Sequence, residues 1–489
     1  MYKLSITHTF FPRNRCIICG SIKKAQINIA IINETKNEKK KILEGSFCIA
    51  HIFNLILNDI IKINQDNFTL HEICNIATEE AISERIIKNS IKNLKNIKSY
   101  KTIKNLKGIC KPLKCIIIGC GPSIDKQVEQ IKKIEKKVII IAPLQAIDIL
   151  KKNNIEADYI FSVDSSDRNK KHCEGIEKIN CGIITDISAT DIIFEKRKED
   201  IYLVEMISED INPCQKMTKE IMRDIEKLKT GYSVTTTMIS FAKYCGFNTI
   251  YFAGVDCGYK EEKTHCKEYR LEKEITAGKD PDCEYKTILG EIGKTSLGLL
   301  AQAQYIQNMI EDDSIKYITF SNLFPAGNKM EYKNIEEEVE KILKEEPDKT
   351  EVMIEIKTIP EKITIDEKKK EKLFEEKIKI AKELLEYLEK YEKNINEEII
   401  KSKEFKSSIK KVEEVEKEII NVIENRIKQN KILEILDNYL TEINKYMEIS
   451  ILAEEENPKT SINNIKRGLI YISVVKEKLK NLIKDLEKN

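Results

Sequence analysis

The chain has 489 residues, too many for one ordinary hydrophobic core, so two or three domains are expected. Its 83 Lys and Arg residues nearly balance its 81 Asp and Glu residues, and a net charge of +2 argues against a protein that binds along a nucleic-acid backbone. No run approaches the roughly 18 apolar residues of a membrane span and Met1–Leu4 does not open a signal peptide, so a cytoplasmic protein is expected.

The first predicted domain, residues 1–110, contains two cysteine-rich pairs. Cys16 and Cys19 are separated by two residues, and Cys48 and His51 repeat that spacing. Three cysteines and one histidine are a common tetrahedral zinc set, so these four residues are predicted to bind a structural zinc ion. The alternative is coincidence, because the chain has 14 cysteines and cysteine is often a plain buried hydrophobe.

The second predicted domain, residues 111–330, alternates short apolar segments with amphipathic ones. Continuous β-branched strands separated by helices indicate an α/β domain, a Rossmann-like and mostly parallel sheet covered on both faces. The predicted strands are Cys115–Ile118, Val138–Ile141, Tyr159–Val163, Gly182–Ile184, Tyr202–Glu205, Ile250–Ala253 and Tyr317–Phe320. The predicted helices are Asp125–Ile134, Leu144–Lys152, Met217–Leu228, Val234–Tyr244 and Ser296–Ile310.

The third predicted domain, residues 331–489, is rich in Lys, Glu and Ile. Apolar residues recur every three or four positions from Leu373 to Ile399, which predicts a long helix, and a last helix is predicted over Ser461–Lys488. Pro347 and Pro360 bracket a segment predicted to be extended, Val352–Ile356. The domain is expected to be a helical bundle or coiled coil that packs, oligomerises or presents a bound partner.

A glycine turn, Gly119-Cys-Gly-Pro-Ser123, follows the first predicted strand and opens a helix. Glycines let a backbone approach an anion, and a helix N-terminus offers free N–H groups, so the turn predicts a phosphate site. Neither the third glycine of the dinucleotide fingerprint nor the Gly-Lys-Ser/Thr of a P-loop is present. A nucleotide site of another type is therefore predicted.

Polar residues follow the other strands as well. Asp164, Asp256 and Asn322 lie just past three strand ends, and Gly231 and Ser233 open another helix. Ligands of parallel sheets bind at this edge, so a shared site is expected from the set, although each strand-end residue alone is better explained as a helix cap. His265 follows Asp256 closely and is the candidate general base.

The order of these motifs resembles the motility-associated-factor (Maf) flagellin glycosyltransferases, which share their core with MptE-like 6-hydroxymethylpterin diphosphokinases. The resemblance lies in Gly119–Ser123, Ile155–Asp164, Gly231–Val234, Gly254–Tyr259 and Thr264–His265. The first and fourth of these motifs also look like those of bacterial sialyltransferases that use CMP-sialic acid.

The resemblance implies transfer of a nonulosonic acid, of pseudaminic, legionaminic or sialic type, from a CMP conjugate to Ser or Thr hydroxyls of flagellin or another acceptor. It implies that the CMP phosphate is held by Gly119, Gly121, Pro122 and Ser123. It further implies nucleotide contacts from Asp164, Gly231, Ser233 and Asn322, and catalytic roles for Asp256 at the strand end, Tyr259 on the leaving phosphate and His265 as base.

Two other functions remain open from the sequence. One is a diphosphokinase of the pterin type, in which Asp164, Asp167 and Asp256 hold Mg²⁺ on the phosphates of ATP. The other is a non-catalytic adaptor that uses the α/β core as a nucleotide-binding scaffold.

Overall fold

A computed structural model describes residues 2–7, 26–34, 39–48, 85–97, 100–197, 199–207, 213–223, 225–231, 233–260, 263–271, 282–312, 314–327, 329–401 and 461–487. The chain forms two compact units. One comprises Met1–Phe68, Ala77–Lys95 and Glu367–Asn489, and the other comprises Thr69–Ile76 and Asn96–Asp366. The second unit, which ends at Asp366, is here called the sheet unit.

A nine-stranded sheet forms the centre of the sheet unit, and each of its ladders is parallel. Its strands are β4 Cys115–Ile118, β5 Ile139–Pro143, β6 Tyr159–Ser162, β7 Gly182–Thr185, β8 Ile201–Ile207, β10 Glu226–Lys229, β11 Thr249–Ala253, β14 Lys316–Thr319 and β15 Met330–Tyr332. Their order in the sheet is β10-β8-β7-β6-β5-β4-β11-β14-β15. The strands β4 to β7 and β11 are buried throughout, as the sequence predicts for a sheet covered on both faces.

Helices cover both faces of this sheet and fill two separate cores. Alternate residues of β4 show the division, because Ile117 packs in one core and Ile116 in the other. The first core holds α7 Val234–Cys245, α8 Leu297–Met309 and α10 Thr350–Thr358. The second holds α2 Ile124–Ile134, α3 Ile147–Lys152, α5 Asp191–Lys196 and α9 Ile335–Glu345. The unit also contains α4 Asp167–His172, α6 Pro213–Ile221, and 3₁₀ turns at Lys104–Leu106, Leu144–Ala146 and Ile176–Lys178.

Two small antiparallel pairs complete the sheet unit. The hairpin of β12 Asp282–Lys286 and β13 Ile292–Ser296 comes immediately before α8. The short strands β9 Met222–Arg223 and β16 Thr364–Ile365 pair with each other.

The described part of the other unit contains one sheet and three helical segments. Strands β1 Tyr2–Thr7, β2 Gln26–Glu34 and β3 Lys39–Cys48 form an antiparallel sheet in that order. The helices are α1 at residues 85–95, α11 Glu367–Lys401 and α12 Ser461–Glu487.

The two long helices run antiparallel along each other. Lys476 of α12 pairs with Glu392, and the Lys480–Glu389 pair, at 3.2 Å, lies one turn along. Leu384, Leu388 and Leu479 are buried in the seam between these charged flanks. The predicted helical C-terminal region is therefore confirmed, and its role in oligomerisation stays a prediction.

Two predicted segments differ from the structure. The predicted helix Met217–Leu228 ends at Ile221, and its second half forms the strands β9 and β10. The segment Val352–Ile356, predicted to be extended, lies inside helix α10, where Met353 and Ile356 are buried.

Candidate functional site

The carboxyl ends of β4 and β11 meet where the sheet changes direction. The chain adds strands on one side of β4 as far as β10, and then returns to place β11 on the other side. Open α/β sheets bind ligands at such a switch point. The turn Gly119–Ser123 and the loop Gly254–Asp256 both lie there.

These two loops bind each other through their backbones. The N–H of Gly119 donates to Ala253 O at 2.7 Å, and the N–H of Gly121 donates to Gly254 O at 2.8 Å. A Cβ on Gly119 would lie 2.4 Å from Gly254 O, and one on Gly121 would lie 2.4 Å from Asp256 Oδ2. Close approach of the two loops therefore requires both glycines.

Asp256 is fully buried and receives hydrogen bonds from the start of helix α2. The Ser123 N–H donates to its Oδ2 at 2.7 Å, and the Ser123 hydroxyl donates to its Oδ1. Burial raises the pKa of Asp256, while hydrogen bonds from Ser123 and Ser321 act in the opposite direction. The carboxylate thus takes the place that an anion occupies at a helix N-terminus.

This arrangement engages the backbone donors of the glycine turn that is predicted to hold a phosphate. The N–H groups of Gly119, Gly121 and Ser123 donate inside the protein, and the N–H of Ile124 donates to Gly121 O at 3.3 Å. Pro122 has no N–H to offer. A phosphate at this turn would have to compete with Asp256, so the structure does not present these donors as a ready-made cradle.

Two further aspartates follow strand ends and accept bonds from a serine two residues later. Asp164, after β6, accepts from the Ser166 N–H at 2.7 Å and from its hydroxyl at 2.9 Å. Asp186, after β7, accepts from the Ser188 N–H at 2.7 Å and from its hydroxyl. Asp186 is fully buried, and burial raises its pKa. Asp167 lies on α4 with an exposed side chain that pairs with Lys170 at 3.1 Å.

The second glycine turn opens helix α7. A Cβ on Gly231 would lie 2.2 Å from Tyr305 Cε1, and the Tyr305 hydroxyl donates to Thr230 O at 2.8 Å. The Ser233 side chain makes no cap bond to α7, and its buried Oγ has no partner among the described residues. The second glycine turn therefore has a hydroxyl, that of Ser233, without a hydrogen-bond partner among the described residues, whereas the Ser123 hydroxyl of the first turn is bonded to Asp256.

Residues 263–271 lie over the first turn, and we call them the strap. Their N–H groups reach down to the turn, with Cys266 donating to Cys120 O at 2.8 Å and Lys267 donating to Asp125 at 3.3 Å. His265 belongs to this strap, so the structure brings the candidate base and the glycine turn together.

The His265 ring stacks on Tyr269, with ring centroids 4.0 Å apart, and Tyr269 also contacts His172 of α4 at 5.2 Å. Burial, followed by the charge of Arg168 and by His172, lowers the pKa of His265 to about 4. Its Nδ1 forms a 2.7 Å hydrogen bond with the Thr264 hydroxyl. The imidazole is therefore neutral at pH 7.

The remaining predicted site residues have different positions. Tyr259 is half-buried, and its N–H donates to Lys294 O of the β12–β13 hairpin at 2.8 Å. Asn322 is exposed beside the buried Ser321, which bonds to Asp256. Cys16, Cys19 and His51 lie outside the described residues, as does the side chain of Cys48, so the zinc prediction stays untested.

Asp186, Tyr269 and the buried Gln127 were not predicted from the sequence. Gln127 links loops, since its amide donates to Phe320 O at 2.8 Å and accepts from the Gly254 N–H at 2.9 Å. Asp186 follows a predicted strand in the same way as Asp164 and could have been found by that rule. Tyr269 and Gln127 carry no comparable signal in the sequence.

The fold and the switch-point loops define a Rossmann-like α/β domain. Residues 88–262 match the family model described as 6-hydroxymethylpterin diphosphokinase MptE-like. This region is therefore similar to MptE-like proteins, and the resemblance to that family seen in the sequence is confirmed.

Among solved structures, one match is a Maf glycosyltransferase from Magnetospirillum magneticum AMB-1. The two chains are 12% identical with a TM-score of 0.46, and the match covers 82% of this chain and 58% of that one. This chain therefore spans less than two thirds of that protein. Comparison with curated proteins gave no match. In the described part of the chain, no helix has the length and apolarity needed to cross a membrane.

Proposed function

We propose that the protein is a glycosyltransferase that moves a nonulosonic acid from a CMP-activated donor to a hydroxyl of an acceptor, flagellin or another protein. The observation that carries this proposal is the state of the strand-end carboxylates. Asp164 and Asp256 each accept hydrogen bonds from a nearby serine, and a neutral His265 lies on the strap that bonds to the first glycine turn.

A transfer of this kind has little need of a metal ion. CMP is a good leaving group, so the protein must orient the acceptor, stabilise the departing phosphate and remove one proton. The acceptor oxygen bonds to the anomeric carbon as the carbon–oxygen bond to CMP breaks, and the phosphate oxygen keeps that electron pair.

His265 is the proposed acceptor of the hydroxyl proton. Nε2 takes the proton in the tautomer in which Nδ1 carries the ring hydrogen and donates it to the Thr264 hydroxyl. A base with a pKa of about 4 is weak, but an anionic donor phosphate beside the ring raises that pKa toward neutrality. Donor binding would thereby prepare the base.

The donor phosphate is proposed to lie toward the second glycine turn. Ser233 keeps an unpartnered hydroxyl among the described residues at the start of α7, whereas Ser123 at the start of α2 is bonded to Asp256. Gly119, Gly121 and Pro122 then shape the opposite wall, and Asp256 fixes that wall without touching the sugar. Asp164, Tyr259 and Asn322 remain candidate contacts to the ribose or the phosphate.

The test is a transfer assay on His265→Gln with a CMP-nonulosonate donor and flagellin as acceptor. The rate is expected to fall about 10²- to 10⁴-fold, as for loss of a general base, while calorimetric CMP binding persists. Lys267→Ala, a change at an exposed strap residue, is the matched control and is expected to be active. Unchanged transfer by His265→Gln would remove the proposed base.

A diphosphokinase is the second candidate, because the family model that matches residues 88–262 carries that description. It needs Mg²⁺ on ATP, and the proposed ligands Asp164, Asp167 and Asp256 do not fit that ion. Two of them have both carboxylate oxygens engaged by serines, and the third faces solvent. Calorimetry with CMP and with ATP plus Mg²⁺ separates the two functions. Tight ATP binding without CMP binding would favour the kinase.

The zinc site and the acceptor stay proposals with tests of their own. Metal analysis of the purified protein should find zinc in a one-to-one ratio if Cys16, Cys19, Cys48 and His51 bind it. Freely alkylated cysteines and no zinc would refute the site. Intact-mass measurement of flagellin and other surface proteins, with and without this gene, identifies the acceptor.

A further inference from the structure

Arg270 ties the end of the strap to two helices of the sheet unit. Its Nε and Nη2 donate to both carboxylate oxygens of Asp148 on α3, at 2.7 and 2.6 Å. Its Nη1 donates to Lys171 O on α4 and lies 3.5 Å from Glu174. A bidentate guanidinium–carboxylate pair fixes orientation as well as position. We call this contact the clamp.

The clamp adjoins the ring stack that holds the candidate base. Tyr269 precedes Arg270 in the chain, and its ring lies against those of His265 and His172. Where the clamp holds Arg270, the Tyr269 ring has a fixed place, and the His265 ring rests on it. The path from the clamp to the imidazole is thus one residue of backbone and one ring contact.

The strap is also held by the backbone bond from the buried Cys266 to Cys120, and its two other polar contacts are weaker. Lys267 donates to the carboxylate of Asp125 through long bonds of 3.3 Å at an exposed position. Lys152 and Glu268 form an ion pair between α3 and the strap, with 63% and 30% of the two side chains exposed. Exposed ion pairs of that kind contribute little. The Arg270 and Asp148 side chains are 22% and 31% exposed and are joined by two short bonds.

We propose that the Arg270–Asp148 clamp is a positioning device for catalysis, which sets the orientation of the His265 imidazole through Tyr269. The proposal rests on the glycosyltransferase function above for its catalytic meaning. Arg270 bonds to Asp148 and Lys171 rather than to the base, so it acts through its neighbours and is a positioning residue. Without the clamp, His265 is still present, but its imidazole is no longer held in the orientation needed to accept the proton.

Arg270→Lys and Asp148→Asn are the test variants. Lysine keeps the charge of Arg270 but cannot form the two-pronged bond, and asparagine keeps the shape of Asp148 without its charge. Glu268→Gln is the matched control, because it breaks the exposed ion pair between the same helix and the same strap. Arg270→Lys carries the test where a harsher variant, such as Arg270→Ala, fails to fold.

Two readouts separate positioning from a merely structural role. The kcat for transfer is expected to fall about 10- to 100-fold with little change in donor KM, because a base displaced by about 1 Å loses rate and not binding. Carbethoxylation of His265 by diethyl pyrocarbonate, followed by peptide mass spectrometry, is expected to become several-fold faster as the ring is freed. Glu268→Gln is expected to match the unaltered protein in both.

The chemical readout needs no transferase activity, so the two proposals can fail separately. Equal carbethoxylation rates for His265 in Arg270→Lys and in the unaltered protein would overturn the clamp's role. A loss confined to KM would do the same. Faster carbethoxylation in a protein without any transfer activity would support the clamp's hold on His265 and refute the glycosyltransferase function.

Discussion

Ser123→Ala tests whether the start of helix α2 is closed by Asp256. The change removes the hydroxyl that donates to Asp256 Oδ1 and leaves the backbone N–H bond to Oδ2 in place. The carboxylate is fully buried, so water cannot replace the lost donor. The turn between β4 and α2 is expected to open more easily as a result.

The magnitude follows from the type of bond. A hydrogen bond to a charged group contributes about 1.5–3 kcal/mol. At about 1.4 kcal/mol per factor of ten, the amides that become exposed when this turn opens should exchange with solvent about 10- to 150-fold faster. Folding elsewhere in the sheet is expected to persist, because the N–H bond and the donor from Ser321 remain.

Hydrogen-exchange mass spectrometry of the peptides that span Cys115–Ile134 and Thr249–Asp256 measures this effect. Ser314→Ala is the control, since the Ser314 hydroxyl donates to Asp312 at 2.7 Å in a similar pair at an exposed site. That variant is expected to leave the exchange of both peptides unchanged. If Ser123→Ala instead kept full protection and abolished CMP binding, Ser123 would face the ligand and the reasoning would be refuted.

Three further changes have defined outcomes. Lys349→Met strips Asp158 of its buried partner, and it is expected to cost about 3–5 kcal/mol in the free energy of unfolding, measured by urea titration followed by circular dichroism. His172→Phe is expected to make the stability less dependent on pH in the acid range. Burial, and then the charge of Arg270, lowers the pKa of His172 in the folded protein to about 4, whereas its pKa in the unfolded chain is about 6.5. The unfolded chain therefore binds more protons between these two pH values, and the stability of the unaltered protein falls as pH drops through them. A thermal melt series in which the variant lost stability as steeply as the unaltered protein would count against this. Gly231→Ala places a Cβ against the Tyr305 ring, and the clash is expected to destabilise the protein by about 1–3 kcal/mol. The same change is expected to weaken CMP binding, measured by calorimetry. Unchanged CMP binding would show that this turn is not part of the donor site.

The central strands could be predicted because both faces of this sheet are covered. Burial on both sides leaves continuous apolar runs such as Cys115–Ile118, which the structure reproduces without a shift. Edge strands carry no such signal. Strand β10, Glu226–Lys229, has three charged residues at the edge of the sheet, and its sequence is equally suited to a helix surface.

The segment between Pro347 and Pro360 shows a different limit. Its β-branched and apolar residues predict an extended segment, whereas α10 buries Met353 and Ile356 on one side of a two-turn helix. Val352, Ile354 and Ile356 alternate as in a strand, whereas Met353 and Ile356 have the three-residue spacing of a helix face, so this short run fits either period. Tertiary packing against the sheet core decides the outcome here, and the local sequence does not contain it.

The placement of the candidate site was predictable, but its bonding was not. Parallel topology brings the carboxyl ends of strands to one edge, so Asp164 and Asp256 were expected there from their positions after strands. Which donors reach each carboxylate depends on contacts over long stretches of chain. Ser123 and Asp256 are 133 residues apart in sequence and joined by two hydrogen bonds.

That pairing changes what the first glycine turn means for a ligand. A helix N-terminus attracts negative charge, and in helix α2 the protein supplies the charge itself through Asp256. The two glycines are then required by the contact between loops, because a Cβ at either would strike Gly254 or Asp256. Helix α8 is likewise capped from within, by the Ser296 hydroxyl on the Leu299 N–H at 3.3 Å. Helix α7 has neither arrangement, since Ser233 makes no side-chain cap there and its Oγ has no partner among the described residues. Of these three helix starts, an anionic donor would therefore meet the least competition at Gly231–Ser233, and the first turn would serve as the rigid support to which the strap is bonded.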